Sequence, residues 1–234
     1  FFDYLWVYLF LVSIAVGSLA LVALEYLVGA TWSTPFRRVS EIMASMIPVL
    51  ILLAIPLFFG LHDLFHWTHH DVVETDAVLK AKSPYLNVEF FAIRTAFCLF
   101  IWFLFYWLIT KNSEKQDIDG DVKYTKRNIT LSTIFAPVFI VTITIAAIDW
   151  AMSLEPHWFS TIFGVYYFAG TIIAALAATT FASIKLKEGG YMDSRLGNDS
   201  FYSLGTLMFG FNVFWAYIAF SQFILIWYAD LPEE

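Results

Sequence analysis

Cysteine is almost absent from this chain of 234 residues, and a single thiol at Cys98 excludes several kinds of redox site. One cysteine cannot form an internal disulfide, hold a four-cysteine iron–sulfur cluster or supply the C-x-x-C-H attachment of a c-type haem. We therefore expect this chain to bind no redox cofactor, and we expect any such centre in its assembly to lie on another subunit.

Charged residues are also scarce, at 14% of the chain against about 25% in soluble domains. The 13 Lys and Arg residues stand against 20 Asp and Glu residues, and the net charge of −7 excludes the basic surface that nucleic acid requires. Hydrophobic residues instead make up 60% of the chain, including 25 Phe, 12 Tyr and 9 Trp. A globule of this length has too little interior to bury them, so the sequence predicts a lipid bilayer as the surrounding solvent.

Long apolar runs alternate with polar loops and predict an all-α bundle of membrane-spanning helices, forming one integral membrane region over residues 1–234. Barrel strands are excluded because the runs are apolar on every side instead of alternating. Because the chain begins at Phe1 within an apolar run and without a Met, we expect it to be an internal piece of a longer protein. The six predicted spans are residues 1–29, 42–61, 90–110, 129–152, 161–186 and 201–228.

The basic residues separate between two sets of loops, and the positive-inside rule places the richer set in the cytoplasm. Loops after spans one, three and five carry ten of the 13 Lys and Arg residues, Arg195 among them. The opposite loops are acidic, hold all five histidines and suit a docked extramembrane partner. The predicted cytoplasmic loops are residues 30–41, 111–128 and 187–200, and the predicted periplasmic loops are residues 62–89 and 153–160.

Two oppositely charged residues are predicted at similar depth near the outer membrane surface. Arg94 lies about one turn inside span three, and Asp149 lies about one turn before the exit of span four. Unpaired burial would cost each group several kcal/mol, so we expect a short contact or a shared water between them. Two interpretations stay open, a fixed ion pair that locks two helices and a protonatable relay.

Near the inner surface, Glu25 ends span one and Glu41 begins span two, and these acids are candidates for the inner mouth of a proton path. Hydroxyl and amide side chains between the two acidic layers are candidates for a water chain. Ordinary hydrogen bonding between helices explains such groups equally well. The candidates singled out for the path are Thr142, Tyr166, Tyr167 and Asn212.

Four histidines follow span two. Spacings of three and four residues put His62, His66 and either His69 or His70 on one face of a predicted helical extension. Such spacing is compatible with zinc, but the interleaved aromatic and acidic residues are typical of an interfacial segment. We predict a contact with partner subunits here and no metal site, and we assign Glu155 and His157 to the same outer layer.

One continuous stretch points to a family. Residues 148–164, Ile-Asp-Trp-Ala-Met-Ser-Leu-Glu-Pro-His-Trp-Phe-Ser-Thr-Ile-Phe-Gly, resemble a signature of the F subunit of alternative complex III, the bacterial quinol:cytochrome c oxidoreductase. Residues 221–234 are similar to the same subunit, which belongs to the NrfD or polysulfide-reductase type of integral membrane protein. The resemblance implies a full subunit of about ten spans, of which six are visible here.

The resemblance also implies an assembly in the bacterial inner membrane that oxidises quinol through iron–sulfur clusters and c-type haems on other subunits. A sister NrfD-like subunit, a multihaem cytochrome c and an iron–sulfur subunit are the implied partners. Ile143 stands where the sister subunit's pattern has a histidine, which argues against quinol oxidation at Asp149. We therefore expect a proton path and a scaffold within the oxidoreductase. A secondary transporter or channel, and a purely structural anchor for peripheral redox subunits, are the alternatives.

Overall fold

The computed structural model describes residues 1–192 and 197–230, and over these ranges the fold is all-α, without strands. Six helices are long and apolar enough to cross a membrane, which confirms the predicted polytopic bundle. The chain is accordingly a multi-pass membrane protein that lies in a lipid bilayer. Arg195, Glu233 and Glu234, which contributed to the predicted charge of the loops, lie outside the described residues.

The spanning helices follow the predicted order, and the third, fourth and sixth extend further at both ends. The second crossing, Thr34–Phe59, is divided between two helices, and the fourth, Val122–Leu154, continues its α-helix through a π turn and a short 3₁₀ turn. The helices are α1 (Phe2–Val28), α2 (Thr34–Ala44), α3 (Ile47–Phe59), α4 (Leu61–Leu64), α5 (His70–Thr75), α6 (Ala77–Lys82), α7 (Val88–Asp119), α8 (Val122–Ala146), α9 (Phe163–Glu188) and α10 (Asn198–Ala229).

Most of the predicted connection 111–128 is helical, because α7 and α8 continue through it and leave only Gly120 and Asp121 between them. Gly120 closes α7 with a φ of 65°, a left-handed conformation that glycine adopts without steric cost. The Asp121 carboxylate accepts a hydrogen bond of 2.8 Å from the Lys123 backbone N–H and caps α8. Two well-capped ends therefore extend the hairpin beyond the apolar spans.

Helix α1 is the centre of the bundle, with α2, α3, α8 and α9 packed around it. Gly17 permits the closest approach, since a Cβ there would lie 2.6 Å from the Thr171 carbonyl oxygen and 2.8 Å from the Ala175 Cβ. In contrast, α10 packs mainly on α9 and buries only Leu204 and Ile218. Most of α10 therefore remains exposed to lipid or to a neighbouring protein.

Two contacts join segments of the same predicted set of loops. At one end, here called the inner end, Arg38 contacts Asp117, which joins the beginning of α2 to the end of α7. At the outer end, Lys82 Nζ donates a hydrogen bond of 2.5 Å to the Pro156 carbonyl oxygen. The topology thus groups the loops as the distribution of basic residues predicted.

Candidate functional site

Arg94 and Asp149 form a two-point ion pair between α7 and the π turn. Arg94 Nε lies 2.6 Å from Asp149 Oδ2 and Nη2 lies 3.1 Å from Oδ1, and both side chains are buried. The predicted contact is therefore confirmed. A bidentate guanidinium–carboxylate pair of this kind is geometrically specific and limits the desolvation cost of each charge.

The backbone around Asp149 leaves the α-helical path. Residues Ala147–Ala151 form a π turn, and the Asp149 carbonyl oxygen accepts a hydrogen bond of 2.5 Å from the Ser153 hydroxyl. Single π turns inside helices are rare and occur frequently at functional sites. Periodicity in the sequence gave no signal for this turn, because an inserted residue changes the helical phase without changing the hydrophobic composition.

Aromatic rings enclose the guanidinium of Arg94. Its Cζ lies 3.8 Å from the ring centroid of Tyr85 and 4.3 Å from that of Phe90, and its Nη1 donates a 3.0 Å hydrogen bond to the Tyr85 carbonyl oxygen. Burial, followed by the nearby Asp149 carboxylate, raises the pKa of the Tyr85 hydroxyl to about 12. Tyr85 therefore stays neutral at physiological pH and screens the ion pair from the outer surface.

Two buried tryptophans continue the polar contacts toward the bundle interior. Trp150 Nε1 donates a 3.0 Å hydrogen bond to the Thr95 hydroxyl, and Trp102 Nε1 donates one of 2.9 Å to the Thr142 hydroxyl. The two indole rings pack edge to face with centroids 5.9 Å apart. Thr142 was a predicted candidate, but its tryptophan partner was missed because the sequence does not show which of nine tryptophans face inward.

Tyr167 and Ser13 join α9 to α1 deeper in the bundle. The Ser13 hydroxyl lies 3.3 Å from the Tyr167 hydroxyl, which is itself 3.3 Å from the Leu9 carbonyl oxygen. Elsewhere on the same two helices, the buried hydroxyls of Ser18 in α1 and Thr171 in α9 have no hydrogen-bond partner among the described residues. The α1–α9 seam thus carries polar groups that a water chain would satisfy.

Two predicted path residues do not join this seam. Asn212 lies on the exposed side of α10 and donates a 2.9 Å hydrogen bond to the Met208 carbonyl oxygen. Tyr166 is half-buried and stacks on Trp215 with ring centroids 5.1 Å apart. The structure therefore places Asn212 on the exposed side of α10 and Tyr166 against α10, and neither contacts the Ser13–Tyr167 pair.

At the inner end, each buried glutamate is paired with an arginine. Arg37 Nε donates a 2.6 Å hydrogen bond to Glu25 Oε1. Arg38 contacts both Glu41 and Asp117, and it also reaches the Ser113 carbonyl oxygen at 3.3 Å. The beginning of α2 thus supplies a separate arginine to each acid that the sequence singled out.

The predicted histidine face on one continuous helix is wrong. Phe65 and His69 have extended backbones and interrupt the helical segment, since buried Phe65 and Trp67 turn inward to pack on Phe91. His62 and His69 instead stack with ring centroids 3.7 Å apart, whereas His66 and His70 are exposed. Over residues 1–192 and 197–230, no three His, Cys, Asp or Glu side chains are grouped closely enough to hold a metal ion.

A contact between the side chains of His157 and Asp76 joins the two outer loops. His157 Nε2 lies 2.7 Å from Asp76 Oδ2, while Glu155 in the same loop is exposed. Desolvation opposes ionisation of Asp76, but hydrogen bonds from the backbone N–H groups of Val78 and Leu79 and the contact with His157 lower its pKa overall. The predicted outer layer is therefore one connected surface in which His157 has a partner within the chain.

No protein-family model matches this chain, and no curated protein matches it. A functional interpretation of the chain therefore rests on its sequence motifs and on the geometry of the buried ion pair, the π turn and the hydroxyl seam.

Proposed function

We propose that the chain is an integral membrane subunit of a bacterial inner-membrane quinol:cytochrome c oxidoreductase, or of a related enzyme with another periplasmic acceptor. In this role it provides a proton path and a scaffold, and electrons travel on neighbouring subunits. The resemblance of residues 148–164 to alternative complex III supports this proposal, because the same stretch contains the π turn and the buried Asp149.

The Arg94–Asp149 pair is the observation that carries the proposal. It is sealed from solvent, lies on a π turn and is continuous with the Thr95–Trp150 hydrogen bond on the same two crossings. Charged groups at membrane depth are costly and usually serve a transport path or an assembly contact. A carboxylate held by one arginine in a low dielectric is suited to exchange a proton when its pairing changes.

Polar side chains lie between the outer and inner acids and provide hydrogen-bonding positions along the proposed proton path. The Ser13–Tyr167 contact and the unsatisfied hydroxyl of Thr171 lie between α1 and α9, and Ser40 lies 3.4 Å from Thr179 nearer the inner end. Thr171 and Thr179 are separated by about 12 Å along α9, so ordered water must bridge that interval.

The implied partners fit the distribution of exposed surface. Helix α10 buries only two residues and leaves a long face for a sister NrfD-like subunit or for further spans. The outer loops present exposed His66, His70 and Glu155 toward a multihaem cytochrome c and an iron–sulfur subunit. In this arrangement quinol is oxidised by the assembly, and the c-type haems and iron–sulfur clusters belong to those partners.

Isolation of the native assembly tests the proposal. We expect multihaem cytochrome and iron–sulfur subunits to co-purify, and we expect Asp149→Asn to slow proton movement coupled to quinol oxidation while the complex still assembles. Recovery of the chain as a lone homo-oligomer with no redox partner would refute the assignment.

A purely structural anchor is the second candidate, and the pairing of Glu25, Glu41 and Asp149 with arginines favours it. Fixed ion pairs between helices need no proton exchange. Unchanged quinol turnover together with unchanged proton movement in assembled Asp149→Asn complex would leave only the anchor.

A further inference from the structure

A cavity of about 50 Å³ lies at the inner end of the bundle, between α1, α2, α9 and α10. A buried site needs about 10–15 Å³ of space open to water centres for each molecule, so this cavity has room for a few waters. Most of its wall is apolar, but four polar residues converge on it, namely Glu25, Ser33, Ser40 and Thr179.

The polar groups that face the cavity are incompletely satisfied. Glu25 is only 7% exposed, and Arg37 approaches its Oε1 atom. The Ser33 hydroxyl is near this carboxylate and sealed from solvent, yet it forms no hydrogen bond of normal length with any described residue. The Ser40 and Thr179 hydroxyls are 3.4 Å apart, a long contact that leaves hydrogen-bonding capacity on both.

We infer that this cavity holds a cluster of ordered water that joins the Glu25 carboxylate to the Ser40–Thr179 pair, and that Glu25 is the group through which protons enter the interior. The water site stands on the geometry alone, whereas the role of Glu25 rests on the proposed function. Water between the groups satisfies the Ser33 hydroxyl, which is otherwise buried without a partner at a cost, and also binds the Glu25 carboxylate.

Glu41 has a different environment, although it is equally buried. Arg38 holds it while also contacting Asp117 and the Ser113 carbonyl oxygen, so the pair is anchored from two helices. Although its Oε1 atom is buried without a hydrogen-bond partner among the described residues, Glu41 does not contribute to the wall of this cavity. Glu25 is therefore the inner acid with direct access to a volume that can hold water.

Direct observation of the water tests the first part of the inference. In a cryo-electron microscopy map of the full-length protein within its native assembly, at a resolution that shows ordered water, we expect density between Glu25 and Thr179. Thr179→Val should remove or displace this density. Thr180→Val is the matched control, because the Thr180 hydroxyl already donates a 2.7 Å hydrogen bond to the Leu176 carbonyl oxygen. A dry cavity in the wild-type protein would overturn the inference, whatever the assembly does with protons.

Proton uptake tests the role of Glu25. In vesicles containing the assembly, Glu25→Gln is expected to slow uptake from the inner side by at least about tenfold, and Thr180→Val to leave it unchanged. Loss of uptake in Glu41→Gln but not in Glu25→Gln would overturn the assignment. If the wild-type assembly moves no protons, the proposed function and the role of Glu25 both fail, while density in the cavity would still establish the water site.

Discussion

Arg94 and Asp149 lie 55 residues apart in the chain and meet through two hydrogen bonds in the protein interior. Asp149 is 1% exposed and Arg94 is 7% exposed, so neither charge has water as an alternative partner. Each charge is therefore compensated mainly by the other. Their mutual dependence makes the pair important for the stability of the bundle.

Removal of one charge from the pair should be strongly destabilising. In Asp149→Asn the Arg94 guanidinium stays buried without a counterion, and the expected loss is about 3–5 kcal/mol. Thermal unfolding of the protein in nanodiscs, followed by loss of helical circular dichroism, measures this effect.

The double variant Arg94→Met with Asp149→Leu provides the control, because replacement of both partners by apolar residues is often neutral. We expect it to recover most of the stability that Asp149→Asn loses. Equal destabilisation of the single and double variants would show that packing at the π turn dominates over the charge interaction.

Gly17→Ala should disturb the central helix contact. The added Cβ would lie 2.6 Å from the Thr171 carbonyl oxygen, so α1 and α9 must separate, with an expected cost of about 1–3 kcal/mol. Gly210→Ala is the matched control, since a Cβ at that helical position meets nothing within 4 Å. Comparison of the two unfolding midpoints tests the geometry, and equal effects would contradict it.

Trp102→Phe should cost about 1–3 kcal/mol, because it removes the hydrogen bond to Thr142 and leaves a small void in a fully buried site. Trp107 lies on the same helix but is 46% exposed, and Trp107→Phe is expected to change stability little. Chemical denaturation of both variants in mild detergent measures the difference. A neutral Trp102→Phe would indicate that the indole does not anchor α7 to α8.

The start of α6 in the outer loop, which Asp76 caps, should lose stability only at acidic pH. The pKa of Asp76 is lowered in the folded protein, so its contribution is present above the unfolded value of about 4 and is lost as the pH falls through the lower folded value. Hydrogen exchange of the Val78 and Leu79 amides, corrected for intrinsic rates, should lose protection in that window.

Asp76→Asn is the comparison for this pH dependence, because asparagine caps a helix without titrating in this range. Protection in the variant should change much less with pH. A parallel loss of protection in both proteins would assign the effect to another group.

Several features of this fold were predictable from hydropathy over long windows and from the positions of charged residues along the chain. Six crossings, the grouping of loops by basic residues and the Arg94–Asp149 contact all follow from the cost of exposing polar groups to lipid. The ends of α7 and α8 were not predictable by hydropathy, since charged residues of high helical propensity continued both helices past the apolar region. The prediction that the histidines share one helical face was wrong for a related reason, because burial of Phe65 and Trp67 interrupts the helix.

The sequence by itself determined that this protein is a helical membrane bundle. A chain that is so apolar and has so few charges is stable in a lipid bilayer, and there its backbone N–H and C=O groups must form their hydrogen bonds within helices. Only the tertiary structure decided which polar groups meet. Hydropathy is nearly uniform around α1, α7 and α9, and so the inward faces were set by close packing at Gly17 and by the π turn at Asp149. These contacts placed Tyr167 in the interior and Asn212 on the outside, although both are polar residues within apolar spans.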